Sequence, residues 1–119
     1  MAFDTYLLDQ ALARSRAVRE EERQATLASV LRLLGALGPQ YNIRRAYVFG
    51  SVCRPGCFMP ESDVDIAIEP LGPESFFAAM SAFALALGRE VDLVELDQCH
   101  FAHRVREEGI EWTKTPSPS

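Results

Sequence analysis

A chain of 119 residues, 48% of them hydrophobic, has room for one domain with a modest core, so we expect no second domain. Its net charge of −5, from 12 basic and 17 acidic residues, argues against direct nucleic-acid binding, because such binding depends on neutralising phosphates. Because there is room for one domain only, a second substrate is expected to be held by a partner or on a shallow surface.

The first residues of the chain and its cysteines are informative about its cellular location. Residues 1–4 lack a basic start, and no apolar stretch approaches the length of a membrane span. We predict a cytoplasmic protein without membrane association. Cys53, Cys57 and Cys99 lack the paired spacing of a zinc site, so free thiols are the simpler interpretation. A redox switch or metal clip formed by Cys53 and Cys57 is the alternative.

Residues 1–40 are expected to form an N-terminal helical segment. From Asp4 onward there is no proline or glycine until Gly35, which favours one long helix or two in series, ending at Gly38. The charged stretch 14–23 is either a solvated face or part of a projecting helix that binds a partner. The expected buried face, followed by a smaller apolar face, consists of Leu27, Val30, Leu31, Leu34 and Leu37, and then of Leu7, Leu8, Ala11 and Leu12.

The segment 46–49 (Ala-Tyr-Val-Phe) predicts a buried strand that ends in a tight turn at Gly50. Glycine lets the backbone come close to a ligand, and Ser51 adds a hydroxyl and an N–H. Arg54 follows three residues later and offers the planar guanidinium that suits phosphate oxygens. The turn is therefore a candidate anion site.

Asp63 and Asp65 open a second predicted strand, 63–68. Side chains alternate between the two faces of a strand, so both aspartates point to one face and Val64, Ile66 and Ile68 point to the other. Two adjacent carboxylates repel each other unless a cation lies between them. Because the ligands offered are oxygens alone, Mg²⁺ or Mn²⁺ suits them better than zinc.

The remaining elements alternate between helix and strand. The alanine- and phenylalanine-rich segment 74–87 predicts a helix that covers the sheet. A third apolar strand, 90–96, carries Asp92, and a last helix is expected to begin near Asp97 as its N-cap.

This order predicts an α/β (α+β) fold, in which helices lie on one side of a small mixed β-sheet and a helical extension precedes the core. The core domain is expected to span residues 41–113. The Pro/Ser-rich residues 114–119 are expected to be a disordered tail.

Three carboxylates converge if the third strand lies beside the second, because Asp92 then shares the face of Asp63 and Asp65. Three carboxylates, a Gly-Ser turn and an arginine are together typical of two-metal phosphoryl or nucleotidyl transfer, in which the metal ions clamp the attacking and leaving oxygens. A purely structural interpretation leaves three like charges together without a reason.

These motifs resemble those of the minimal nucleotidyltransferases of the DNA polymerase beta superfamily. The pattern of that family runs G-S-x-A-R-G, then S-D-x-D before an apolar strand, then a third Asp on a later strand. The corresponding stretches here are residues 50–54, residues 62–65 and Asp92. Two positions depart from the pattern, because Cys53 stands in place of alanine and Pro55 follows the arginine.

The resemblance implies the nucleotidyltransferase (polymerase beta-like) fold and a transfer of AMP from ATP to an acceptor hydroxyl, with Mg²⁺ or Mn²⁺ as cofactor. By resemblance, Asp92 either ligates the metal that activates the acceptor or acts as its base. The residues implied in metal binding and catalysis are Asp63, Asp65 and Asp92. Those implied in nucleotide binding are Gly50, Ser51, Arg54 and Ser62.

The same resemblance implies a protein partner. Minimal nucleotidyltransferases are often the antitoxin of a HEPN-domain ribonuclease toxin, which they silence by AMPylation of a tyrosine hydroxyl. This implies a hetero-oligomer, and a homo-oligomer is also open. Two alternatives remain, namely an antitoxin that inhibits by binding alone and a nucleotidyltransferase that acts on a small molecule.

Overall fold

The computed structural model describes residues 5–114, and its centre is a four-stranded sheet. The strands lie in the order β3-β2-β1-β4. The helices and strands are α1 (Tyr6–Leu37), β1 (Arg45–Phe49), β2 (Val64–Ile68), α2 (Pro73–Leu87), β3 (Val91–Glu95), α3 (Ala102–Glu108) and β4 (Ile110–Thr113).

The sheet is mixed, as predicted. β2 and β3 are parallel and are connected through α2, whereas β1 is antiparallel to both β2 and β4. β4 was not predicted as a strand. Trp112 packs against the main core cluster from this edge strand.

The main core lies between the sheet and the two long helices. α1 is one continuous helix of 32 residues, and Val30 and Leu34 on its second half are fully buried, as predicted. α2 contributes Ala79 and Phe83, which are also fully buried. The sheet supplies alternate apolar residues to this layer, including Ala46, Val48, Val64, Ile66, Ile68, Val91 and Leu93.

The opposite face of the sheet carries only the short α3. Val105 of this helix packs on Tyr47, Ala67 and Leu96 in a small second cluster. The expected arrangement of helices on one side therefore holds for the two long helices. Asp97 is not the N-cap of α3, because it lies within the 3₁₀ turn Leu96–Gln98 and α3 starts only at residue 102.

The first part of α1 extends away from the sheet, and residues 5–18 are all exposed. Leu7, Leu8 and Leu12 are 70%, 53% and 43% exposed, and this smaller apolar face belongs to neither core cluster of the described residues. No helix among the described residues is long and apolar enough to cross a membrane. The predicted tail lies outside the described residues from position 115 onward, and the domain boundaries stay a prediction.

Candidate active site

β1 ends at a position that favours glycine. Gly50 has a φ of +80°, a backbone conformation that residues with a side chain rarely adopt. A Cβ atom added there would also overlap Oδ2 of Asp65. The backbone of the Gly-Ser turn therefore lies directly against the Asp65 carboxylate, which places the predicted anion site and the aspartates together.

The register of the sheet brings the aspartates side by side. β2 and β3 pair so that Asp65 lies opposite Asp92, and β1 places Phe49 on the other side of Asp65. Asp63 lies two residues before Asp65, and residues two apart in an extended chain point to the same face. A hydrogen bond of 3.0 Å from the Val64 N–H to the carbonyl of residue 90 extends the pairing to this end of the strands.

The electrostatics of this cluster are unfavourable for its central carboxylate. Burial, together with the charges of Asp92 and Asp63, raises the pKa of Asp65 from an ordinary value of 3.8 to about 6. Asp65 is half-buried, whereas Asp63 and Asp92 are exposed. A cation among the three would relieve this repulsion, because its charge favours the ionised form of each carboxylate.

The donor set fits a hard divalent cation by its chemistry, since it offers only carboxylate oxygens. Among residues 5–114, no three His, Cys, Asp or Glu side chains are arranged as a formed metal site. Asp63 and Asp92 are exposed, so their side chains can rotate toward a cation without disturbing the core.

The other residues expected to bind nucleotide have different surroundings. The carbonyl of Ser51 accepts a hydrogen bond of 3.0 Å from the N–H of Arg54. The Arg54 guanidinium is 3.5 Å from the carboxylate of Glu108 and 60% exposed, so this ion pair is weak and open to exchange with phosphate. The Ser62 hydroxyl accepts a hydrogen bond of 2.9 Å from the N–H of Met59, which stabilises the loop before β2.

The Cys53 thiol is part of the turn rather than of a disulfide. It donates a hydrogen bond of 3.2 Å to the carbonyl of Val48, and burial raises its pKa. Cys57 is exposed, and all three cysteines are free thiols, which agrees with the simpler interpretation of the sequence.

Arg89 holds the loop that leads to Asp63, a role that was not predicted from the sequence. Its guanidinium donates hydrogen bonds to the carbonyls of Ser62 at 2.7 Å and Met59 at 3.3 Å. It also stacks 4.5 Å from the ring centroid of Phe58 and pairs with Glu22 of α1 at 3.2 Å. A lone arginine between a helix and a strand gives no sequence signal for this role, since its partners lie elsewhere in the chain.

Arg23 supports the Gly-Ser turn from α1 in a similar way. It donates a hydrogen bond of 3.0 Å to the carbonyl of Val52 and pairs with Glu20 one turn earlier on the helix. Its side chain is only 11% exposed, although it belongs to the charged stretch for which a solvated face was one of the two expectations. Helical spacing gives no sign of this contact, because Val52 lies 29 residues away in the chain.

The sheet, α2, α3 and the last turn of α1 fall within a recognised family. Residues 34–114 match the family described as "Polymerase beta, Nucleotidyltransferase". The chain belongs to this nucleotidyltransferase family. The resemblance of its Gly-Ser and Asp-x-Asp motifs is thereby confirmed at the level of the family, and so is the fold. No curated protein matches the chain.

Solved structures agree with the family. A toxin-antitoxin crystallised with AMP-PNP is 27% identical with a TM-score of 0.56, over 74% of this chain and 73% of that one. A mutant of the toxin-antitoxin MntA-HpeT is 22% identical with a TM-score of 0.58, over 71% and 73%. A protein described as a candidate minimal nucleotidyltransferase is 22% identical with a TM-score of 0.52, over 80% and 93%. The last two likenesses bear on the fold alone.

Proposed function

We propose that this nucleotidyltransferase transfers AMP from ATP to a hydroxyl group of a partner protein and acts as the antitoxin of a toxin–antitoxin pair. The partner we propose is a HEPN ribonuclease toxin, with a tyrosine as acceptor. The observation that carries the proposal is the pairing of Asp65 with Asp92 on adjacent strands, directly beside Gly50. The toxin-antitoxin neighbour with AMP-PNP supports the choice of nucleotide and partner.

In the proposed reaction the acceptor oxygen attacks the α-phosphorus of ATP. A new O–P bond forms while the bond to the bridging oxygen of the β-phosphate breaks, and pyrophosphate leaves. The Asp92 carboxylate takes the proton of the attacking hydroxyl. The backbone at Gly50, with the hydroxyl of Ser51 and the guanidinium of Arg54, holds the β- and γ-phosphates in line.

Asp63 and Asp65 would hold Mg²⁺ or Mn²⁺, with Asp92 completing the set on the acceptor side. When bound, such a cation supplies Lewis-acid stabilisation of the charge on the transferring phosphoryl group. Asp65 is central to this arrangement, because both other carboxylates act on it and it lies against the Gly-Ser turn.

The first half of α1 is the surface that we assign to the partner. It precedes the part of the chain that matches the family, and residues 6–18 are all exposed. Leu7, Leu8 and Leu12 give it a concentration of apolar side chains that a partner would bury. Removing these apolar side chains from water would contribute favourable free energy to the complex.

The test incubates the purified protein with ATP labelled at the α-phosphate, Mg²⁺ and the product of the neighbouring gene. We expect wild type to label the partner and Asp63→Ala and Asp92→Ala to lower the rate by about 10²-fold or more. Asp97→Ala is the matched control, because Asp97 is exposed just after β3 but lies outside the site. An equal rate in Asp92→Ala and in this control would contradict the proposal.

The same preparation tests the partner surface. Leu8→Ser combined with Leu12→Ser should weaken the complex with the partner by about tenfold or more. Leu85→Ser is the control, since Leu85 is an 85% exposed leucine on α2. If Leu85→Ser weakened the complex equally, the assignment of the partner surface to the first half of α1 would be wrong.

A second function, inhibition by binding alone, is the alternative that the sequence leaves open, and the same assay distinguishes it. An antitoxin of this kind would form the same complex with wild type, Asp63→Ala and Asp92→Ala, and would transfer label in none of them.

A further inference from the structure

A cavity of about 630 Å³ lies between the end of β1 and α3. Its volume is in the range of small-molecule and cofactor sites. Gly50 and Arg54 line one side, and Phe49, Phe101 and Arg104 line others. Because Gly50 also lies against the central carboxylate of the site, the cavity adjoins the carboxylate cluster.

One part of the cavity is aromatic. The rings of Phe49 and Phe101 are 6.0 Å apart between centroids and tilted by 58°. Phe101 is 38% exposed, so part of its ring remains free for a further contact. Planar nucleobases stack on such rings, and the contact accepts every base because each base has a π-face.

The other part is polar and carries an unbalanced charge. Arg54 and Arg104 face one carboxylate, that of Glu108, and Glu108 is paired with Arg54 at 3.5 Å. Arg104 makes no ion pair with any residue between 5 and 114, so its guanidinium remains available. Guanidinium groups bind phosphate oxygens with charge-assisted hydrogen bonds. An aromatic part and a guanidinium part match the two ends of a nucleotide.

We infer that Phe101 stacks on the base of the nucleotide substrate and that Arg104 binds its phosphates. The inference rests on the proposed function and adds two residues from the α3 region to the nucleotide site. Phe101 precedes α3 and Arg104 lies on its first turn, so one short segment supplies both contacts. Since stacking accepts every base, we also expect little discrimination between adenine and guanine nucleotides.

The test measures affinity rather than transfer, by calorimetric titration with Mg²⁺ and AMP-PNP, GMP-PNP or inorganic tripolyphosphate. Phe101→Leu should lower the affinity for both nucleotides by about tenfold and leave the affinity for tripolyphosphate unchanged. Arg104→Gln should lower the affinity for all three ligands by about tenfold. Phe101→Trp keeps an aromatic face and should bind nucleotides as tightly as wild type. The controls are Phe77→Leu, an exposed aromatic on α2, and Arg106→Gln, which lies on α3 but does not line the cavity.

The outcomes separate this inference from the proposed function. If wild type binds AMP-PNP while Phe101→Leu and Arg104→Gln bind it equally well, the assignment of these residues is overturned and the proposed function stands. If Phe101→Leu weakens tripolyphosphate as much as the nucleotides, the stacking role is overturned. If wild type binds no nucleotide, the proposed function falls, and this inference falls with it.

Discussion

The two faces of the sheet are made by the same strands and differ sharply in what they carry. On the face toward α1 and α2, Val64, Ile66 and Ile68 are fully buried. On the other face, Asp65 alternates with them along β2 and meets Asp92 across the sheet. Burial on the first face stabilises the fold, whereas like charges on the second oppose it. One layer of helices thus supports a site that costs stability.

The largest effect on stability is expected on the helix-covered face. Ile66→Ala should lower the free energy of unfolding by about 2–5 kcal/mol, because it leaves a cavity in a region where the side chain is 0% exposed. Denaturation in urea, followed by circular dichroism, measures the change. Ile66→Val should cost only about 0.5–1.5 kcal/mol. A loss below about 1 kcal/mol for the alanine variant would mean that this face contributes less than its burial indicates.

A smaller loss is expected at the junction of the two faces, where β1 ends. Gly50→Ala should cost about 1–3 kcal/mol from its positive φ alone, with a further loss from overlap with the Asp65 carboxylate. Gly56→Ala is the matched control, since its φ is +82° but an added Cβ has no atom within 4 Å. Equal losses of unfolding free energy in the two variants would show that the contact with Asp65 adds nothing.

The smallest change should be a gain of stability on the carboxylate face. The pKa of Asp65 is raised to about 6 in the folded protein, so the folded state holds this proton more tightly than the unfolded chain. Stability therefore falls as the pH rises from about 4 to about 6. Without divalent cations, Asp65→Asn should remove this loss and stabilise the fold above that window by roughly 1–2 kcal/mol, after allowance for solvent screening.

Thermal unfolding with a chelator, at about pH 4.5 and about pH 8, measures this gain. Asp97→Asn, an exposed aspartate outside the cluster, serves as the control. Added Mg²⁺ should stabilise wild type more than Asp65→Asn and so narrow the difference between them. A variant with the same pH dependence as wild type would mean that Asp65 is not under the repulsion that its surroundings indicate.

Local sequence patterns determined the elements whose causes lie within a few residues. Alternation along β2 put Asp63 and Asp65 on one face, and helical spacing identified Val30 and Leu34 as the buried face of α1. Glycine at position 50 marked the turn. Each of these follows from backbone geometry and nearest neighbours, so the amino-acid sequence was sufficient.

The tertiary structure decided what depends on contacts between distant segments. It set the register of Asp92 against Asp65, formed the edge strand β4 and put α3 on the carboxylate face. It also brought Arg89 to Ser62, which is 27 residues away in the chain. These features depend on how the loops close and how the layers pack, and no local pattern encodes a partner at such a separation. The sequence therefore determined the components of the candidate site, and the fold determined how they are arranged.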